Sequence, residues 1–102
     1  MDNESTKKDL PILLLPRAKR HIRLLKKEDR KLLVKLWDLI LDLLEDPENG
    51  IGHPEKLKGN MEGHWSRRIS QKYRLVYRIL ENEKEEIEMV EISACYGHYD
   101  DK

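Results

Sequence analysis

The first third of the chain combines one short apolar run with helical periodicity. Ile12 to Leu15 is continuously apolar and is followed by Pro16. A run this short, ended by proline, is typical of a buried strand. Pro16 also suits the first turn of a helix, where its missing N–H costs no hydrogen bond. Over residues 17–26 apolar side chains recur on one stripe among cations, which predicts a short basic helix. Lys26 to Asp29 predicts a polar break.

Residues 29–46 carry the most regular pattern of the chain and predict a second amphipathic helix. The apolar positions follow the i, i+3, i+4, i+7 rule. They are Leu32, Leu33, Leu36, Trp37, Ile40, Leu43 and Leu44. Asp46-Pro47 ends the helix, and Glu48-Asn49-Gly50 has turn chemistry. Residues 51–63 are rich in glycine and predict a loop, with one turn of helix near residues 55–58.

From His64 onward the period of the apolar positions changes to two. Residues 64–70 and 73–80 predict a hairpin, and residues 86–96 a third strand. The order of strand, two helices and three strands predicts an α+β domain. We expect two N-terminal helices to pack on one face of an antiparallel-rich sheet. Residues 1–9 are predicted to be a flexible tail, and residues 10–102 a single domain.

The register of the hairpin decides where its arginines lie. A three-residue loop, Ser70-Gln71-Lys72, would place Arg68 opposite Arg74 and collect the apolar residues on the other face. Facing like charges destabilise a sheet, so we expect an anion such as phosphate beside these arginines. The alternative is that glutamates of the last strand neutralise them. The rings of Trp65, Tyr73 and Tyr77 are assigned to the core, and a platform on which RNA bases stack is the alternative.

Charge is segregated along a chain whose 20 basic and 20 acidic residues cancel. Residues 52–78 contain seven Lys/Arg and two Glu, a net charge of +5, whereas residues 79–91 contain six Glu and one Lys, a net of −5. A basic cluster favours phosphate binding, and a charge-balanced solvated surface is the alternative.

The number of cysteines and the lengths of the apolar runs indicate the cellular compartment in which we expect the protein. One cysteine, Cys95, rules out an intrachain disulfide and fits a reducing cytoplasm, and we expect it to be a small buried residue. The run after the polar first nine residues is too short for export or for a membrane span. The histidines His53, His64 and His98 do not combine with Cys95 into a zinc spacing, so neither metal nor cofactor is expected.

Four motifs in this order resemble the YoeB/Txe-type mRNA interferase toxins of the RelE/ParE superfamily. They are His53-Pro54-Glu55-Lys56-Leu57-Lys58-Gly59-Asn60, Gly63-His64-Trp65-Ser66-Arg67-Arg68-Ile69, Tyr73-Arg74-Leu75-Val76-Tyr77 and Ala94-Cys95-Tyr96-Gly97-His98-Tyr99. They cover about half the chain. The resemblance implies a microbial RNase-like (RelE-like) fold. It also implies a toxin of a type II toxin–antitoxin system that cleaves mRNA in the ribosomal A site. The implied reaction is attack of a 2′-hydroxyl on the adjacent phosphate, without a metal.

The same resemblance implies roles for individual residues. Glu55 is the candidate general base, Arg74 the stabiliser of the transition-state phosphate and His98 the general acid. Lys58 and Arg68 would bind the phosphate, and Tyr99 the scissile nucleotide. Without the family, Glu55 would be interpreted as a helix-capping carboxylate. His98 would be a lone surface histidine, and Tyr99 a frayed terminal aromatic.

Two departures from the family pattern favour an alternative function. Asp100-Asp101-Lys102 follows the His-Tyr pair at which family members usually end, and Lys72 stands where a glutamate is common. The alternative is a catalytically impaired module that binds antitoxin or RNA without cleavage, and a purely structural domain is a third possibility. The partners implied are a cognate antitoxin, the ribosome and mRNA. Operator DNA would be bound only through the antitoxin complex, no membrane is involved, and a homodimer is compatible with the family.

Overall fold

Five strands form one mixed sheet. The computed structural model describes residues 10–97, so the predicted tail at residues 1–9 and the chain from residue 98 to its end lie outside the described residues. The strands are β1 (Ile12–Leu14), β2 (Glu55–Lys56), β3 (His64–Arg68), β4 (Arg74–Glu81) and β5 (Ile87–Ala94). Their order in the sheet is β1-β5-β4-β3-β2. β1 runs parallel to β5, and the other neighbours are antiparallel.

Two helices follow β1, as predicted. They are α1 (Pro16–Glu28) and α2 (Arg30–Glu45). Pro16 begins α1 as expected. The predicted polar break at residues 26–29 was too long, because the helix continues through two lysines, which are favourable in a last turn. Only Asp29 separates the helices. Its carboxylate accepts a hydrogen bond from the Leu32 N–H at 3.2 Å and so caps α2.

Both helices pack on one face of the sheet, which confirms the predicted α+β arrangement. The buried core residues are Ala18, Leu25, Leu36, Leu39, Ile40, Leu43, Ile69, Leu75, Tyr77, Val90, Ile92 and Cys95. The predicted stripe of α2 was wrong at two positions: Trp37 is 43% exposed, whereas Leu39 is fully buried. The buried face of α2 is centred on residues 36, 39, 40 and 43, and Trp37 lies at its edge. The rings of Trp65 and Tyr73 pack against the core, as expected.

The two edge strands differ from the prediction. β1 was expected to be a buried strand, but it is an edge strand in which Leu13 is 44% exposed. The predicted helical turn at residues 55–58 is absent. Glu55–Lys56 instead forms β2, and a short 3-10 helix covers Gly59–Met61. The backbone here is held by sheet pairing, since the Leu57 N–H donates to the His64 carbonyl at 2.9 Å.

The hairpin register is confirmed. Arg68 is the partner of Arg74, and Trp65 is the partner of Tyr77. The Ile69 N–H donates to the Tyr73 carbonyl at 3.0 Å, which closes the loop predicted between them. The third predicted strand is β5, two residues shorter at its C-terminal end and one at its N-terminal end.

Candidate functional site

The sheet face that points away from the helices carries three of the candidate site residues, Glu55, Arg68 and Arg74. Arg68 and Arg74 are cross-strand partners, and cross-strand partners share a face. On the other side of β3, Glu55 is the partner of Ser66. Ser66 and Arg68 are two positions apart on one strand, so Glu55 lies on the same face as the arginine pair. The strands of Glu55 and Arg74 are separated by two spacings of about 4.8 Å each.

Ser66 and Gly97 both accept hydrogen bonds from Arg74. Its Nη1 donates to the hydroxyl of Ser66 at 3.2 Å, and its backbone N–H donates to the Gly97 carbonyl at 3.1 Å. Ser66 is fully buried although it lies on this outer face. Sequence reasoning missed Ser66 as a positioning residue. The W-S-R-R-I motif contained it, but only the pairing of three strands reveals what its hydroxyl contacts.

Glu55 is exposed and stands on a strand, not at the start of a helix. The helix-capping interpretation of Glu55 is therefore wrong. Lys58 is the residue that precedes the 3-10 helix, and it is exposed too. The segment before Glu55 is constrained, because His53 has a positive φ of 52° and the Arg68 N–H donates to the Gly52 carbonyl at 2.7 Å. A non-glycine residue with positive φ is uncommon and must be held by its surroundings.

Arg67 is not available to a ligand, although the sequence placed it in the basic segment. It points to the helix side of the sheet and is fully buried. Its Nη1 donates to Asp42 Oδ2 at 2.7 Å and to the Ile51 carbonyl at 3.2 Å. Its Nη2 donates to the carbonyls of residues 46 and 49, and its Nε to the Tyr77 hydroxyl. All five guanidinium donors are thus used. We call this group of contacts the Arg67 clamp.

The clamp holds the loop that leads to Glu55. The Tyr77 hydroxyl donates to the Pro47 carbonyl at 2.7 Å, which adds a second tie to the same loop. The hydrogen bond from the Ile51 N–H to the Asp42 carboxylate, and then the Arg67 guanidinium, lower the pKa of Asp42. The carboxylate is therefore ionised at neutral pH and neutralises the buried cation.

The outer face keeps part of the predicted positive charge. Arg78, on the same face, pairs with Glu91 of β5, with Nη2 2.9 Å from Oε1, whereas the predicted neutralisation by glutamates of the last strand concerned Arg68 and Arg74. Arg68 is exposed at the end of β3. Glu55, Arg68 and Arg74 therefore place one carboxylate and two guanidinium groups on one surface. Such a surface suits a ligand that offers both a phosphate and a hydroxyl group.

The segment after β5 is fixed beside this surface. The Cys95 N–H donates to His21 Nδ1 at 3.0 Å, and Tyr96 stacks on Tyr73 with 4.7 Å between ring centroids. Burial, followed by the charges of Arg17 and Arg20, lowers the pKa of His21, so its ring remains a neutral acceptor. Burial raises the pKa of the Cys95 thiol to about 12, as expected of an inert core residue. His98 and Tyr99 lie outside the described residues.

The chain resembles known proteins over most of its length. The sequence model of the "YoeB-like toxin of bacterial type II toxin-antitoxin system" matches residues 18–99. The Toxin YoeB of Synechocystis is 44% identical over 71 residues, which are 70% of this chain and 76% of that protein. The Toxin YoeB of Escherichia coli K12 is 39% identical over 70% of this chain and 77% of that protein.

Solved structures agree with the sequence comparison. A YoeB/ParE toxin from Agrobacterium tumefaciens superposes with a TM-score of 0.80 at 31% identity, over 88% of this chain and all of that chain. A YoeB dimer from Staphylococcus aureus gives a TM-score of 0.76 at 33% identity. The YoeB chain of a YoeB-YefM complex from the same organism gives 0.74 at 31%. Each covers 90% of this chain and all of the other.

The fold and the outer face define an α+β protein of the microbial RNase-like class. Within residues 10–97 neither helix is long and apolar enough to cross a membrane. The match to the family and the identity with its members are both extensive. The chain therefore belongs to the YoeB-like toxins of bacterial type II toxin–antitoxin systems, within the RelE/ParE superfamily.

Proposed function

We propose that this toxin is a ribosome-dependent, metal-independent endoribonuclease of the cytoplasm, which cuts mRNA in the A site and so inhibits translation. The observation that supports this is the common surface of Glu55, Arg68 and Arg74. Transesterification by a 2′-hydroxyl needs a base close to that hydroxyl and cations close to the phosphate. A carboxylate and two arginines on adjacent strands meet both needs.

Each residue has a defined task in the proposed reaction. Glu55 takes the proton of the 2′-hydroxyl, whose oxygen attacks the neighbouring phosphorus. Arg74 donates to the phosphate oxygens, on which charge accumulates in the transition state, and Ser66 holds the guanidinium in place. As the 5′-oxygen leaves, it takes a proton from His98. The products are a 2′,3′-cyclic phosphate and a 5′-hydroxyl.

In this proposal the remaining residues of the site bind the RNA and take no part in the proton transfers. Arg68 and Lys58 are both exposed, and we assign to them the contacts with flanking phosphates. Tyr99 would stack on the scissile nucleotide. The ribosome holds the mRNA in the reactive geometry, and such positioning can lower a barrier by about 7–11 kcal/mol. We therefore expect far slower cleavage of free RNA.

The test is single-turnover cleavage of a defined mRNA on programmed ribosomes. Glu55→Gln should reduce the rate by about 10²–10⁴-fold, as expected for a lost general base. Arg74→Met should reduce it by about 10²–10³-fold, as expected for a lost transition-state donor. The matched controls are Glu62→Gln and Arg30→Met, which change exposed residues outside the site and should cut at the wild-type rate.

A 2′-deoxynucleotide at the cleavage site distinguishes the reaction from hydrolysis by water. This substitution removes the nucleophile and should abolish the cut. Continued cleavage of that mRNA would contradict the 2′-hydroxyl mechanism. If the folded wild-type chain leaves ribosome-bound mRNA intact, the catalytically impaired binding module becomes the better assignment. Deletion of residues 100–102 would then test whether the acidic tail blocks the site.

We also propose that a cognate antitoxin binds this chain and covers the face of Arg68 and Arg74 with carboxylates, and that operator DNA is bound only by that complex. The YoeB-YefM complex from S. aureus supports an antitoxin partner, and the YoeB dimer from S. aureus supports a homodimer. Co-expression of the antitoxin should suppress growth arrest. If it does not, the partner is misassigned. Sedimentation of the purified chain as a monomer alone would exclude the homodimer.

A further inference from the structure

The outward side of α2 carries apolar side chains that the rest of the fold does not cover. Val34, Trp37 and Leu41 are 62%, 43% and 62% exposed. They are spaced by three and four positions, so they lie along one side of the helix. A contiguous exposed apolar stripe on a folded protein favours contact with another apolar surface, because burial removes it from water. We call these three residues the α2 stripe.

The charges of α2 stand in the reverse of the order that stabilises a helix by itself. The first half carries three cations and no acid, the second half three acids and no cation: Arg30, Lys31 and Lys35, then Asp38, Asp42 and Glu45. A helix is partially positive at its N-terminus and partially negative at its C-terminus, so both groups are unfavourably placed. The cap Asp29 offsets part of this cost at the first turn, and Arg67 pairs with Asp42. A surface that presents acids to the first half and cations to the second would complement α2.

A second copy of α2 in antiparallel orientation has this distribution of charge. We place a two-fold axis at the midpoint of the helix, between residues 37 and 38. Val34 and Leu41 each lie about 5 Å along the helix axis from that midpoint, at 1.5 Å per residue, so Val34 faces Leu41 of the second copy. Trp37 lies beside the axis in both copies. By the same symmetry the basic half of each helix faces the acidic half of the other, with Arg30 opposite Glu45.

We propose that the α2 stripe is a homodimer interface in which the α2 helices of two copies pack antiparallel. This rests on the proposed homodimer and not on the cleavage activity. A parallel pair of the same helices would instead bring like charges together at both ends, which disfavours it. The antiparallel arrangement also leaves both candidate sites open. Both helices lie on one face of the sheet, whereas Arg68 and Arg74 lie on the other.

The first experiment measures dimerisation of the purified chain by sedimentation over a range of protein concentrations. Leu41→Lys should raise the dissociation constant of the dimer at least about tenfold, because the contact with Val34 occurs twice in a two-fold dimer. The matched control is Leu13→Lys, the same change at an exposed leucine of the edge strand β1. It should stay within about threefold of wild type. The melting temperature of the wild type should rise with protein concentration, and that of Leu41→Lys should depend on it less.

The second experiment tests the orientation with introduced cysteines. The native Cys95 is buried, so it should contribute little to cross-linking of the folded chain. A mixture of Val34→Cys and Leu41→Cys should form a disulfide between the two variants under mild oxidation. Each variant alone should not, because its two cysteines would lie about 10 Å apart along the axis, beyond the reach of a disulfide. Cross-linking of each variant with itself, and not in the mixture, would mean parallel packing and would overturn the proposal.

The remaining outcomes separate this interface from its alternatives. If Leu41→Lys dimerises as well as wild type, the homodimer stands and the α2 interface is overturned. Equal or greater weakening by Leu13→Lys would place the contact at the β1 edge. Loss of affinity for the antitoxin, with an unchanged dimer, would assign the stripe to the antitoxin. A wild type that is a monomer at every concentration overturns both the interface and the homodimer, whereas a dimer that leaves ribosome-bound mRNA intact counts against the proposed cleavage alone.

Discussion

Removing the guanidinium of Arg67 tests whether the clamp holds the loop before Glu55. The substitution Arg67→Met keeps an unbranched side chain in the core but removes all five donors. The Asp42 carboxylate and three loop carbonyls then lose their partner. Arg67→Lys should not restore the clamp, because an ammonium group has three donors and no planar fork.

The magnitude follows from the burial of the ion pair. Breaking a buried pair by removing one partner costs about 3–5 kcal/mol. The side chain of Asp42 is 32% exposed, so water can replace part of what it loses, which favours the lower end of that range. A domain of this kind has a free energy of unfolding of about 5–15 kcal/mol. A loss of about 3 kcal/mol should lower the melting temperature by roughly 12–24 °C.

Urea unfolding followed by tryptophan fluorescence measures the effect, and Arg68→Met is the matched control. Arg68 is the next residue in the chain, but it is exposed on the opposite face, so its loss should change the free energy of unfolding by about 0.5 kcal/mol or less. The reasoning is refuted if Arg67→Met also stays within about 0.5 kcal/mol of wild type.

Two further predictions concern the segment after β5 and the loop after α2. The folded-state pKa of His21 is lowered, so the stability it contributes is fully present above its unfolded value of about 6.5 and is lost as pH falls. The urea midpoint of the wild type should therefore drop between pH 7.5 and 5.5. His21→Leu, which cannot accept the hydrogen bond from the Cys95 N–H, should lose this part of the pH dependence, and an unchanged slope would contradict the assignment. Gly52→Ala should destabilise the fold by about 1–3 kcal/mol in the same assay, because φ is +82° and the new Cβ would lie 2.7 Å from Leu39 Cδ2. A variant as stable as wild type would show that the loop can move.

The local sequence pattern was sufficient to predict an element that is long, or one whose pairing partner follows directly in the sequence. The periodicity of residues 29–46 predicted α2 to within one residue at each end, and Asp29 supplies the expected cap. The pairing of Arg68 with Arg74 was predictable because a hairpin loop of known length fixes the register of both strands. The same argument placed the two arginines on a common face before any contact was known.

The short edge strands were not predictable from the sequence. Two residues are too few to show a period, so Glu55–Lys56 was expected to be helical and not a strand beside β3. β1 lies at the sheet edge, and this position could not be predicted because its parallel partner, β5, is 78 positions later in the chain (Ile12 pairs with Val90). Local hydrophobicity carries no information about which strand another strand will choose.

For the candidate site too, one part could be predicted from the sequence and another part could not. The sequence by itself determined the helices, the hairpin register and the residue types that a phosphate-binding surface needs. Only the tertiary structure decided which arginine serves which purpose. Arg67 and Arg68 are adjacent and chemically identical, but a strand sends consecutive side chains to opposite faces. Arg67 therefore meets Asp42, 25 positions away, and becomes part of the core, whereas Arg68 remains on the surface beside Arg74.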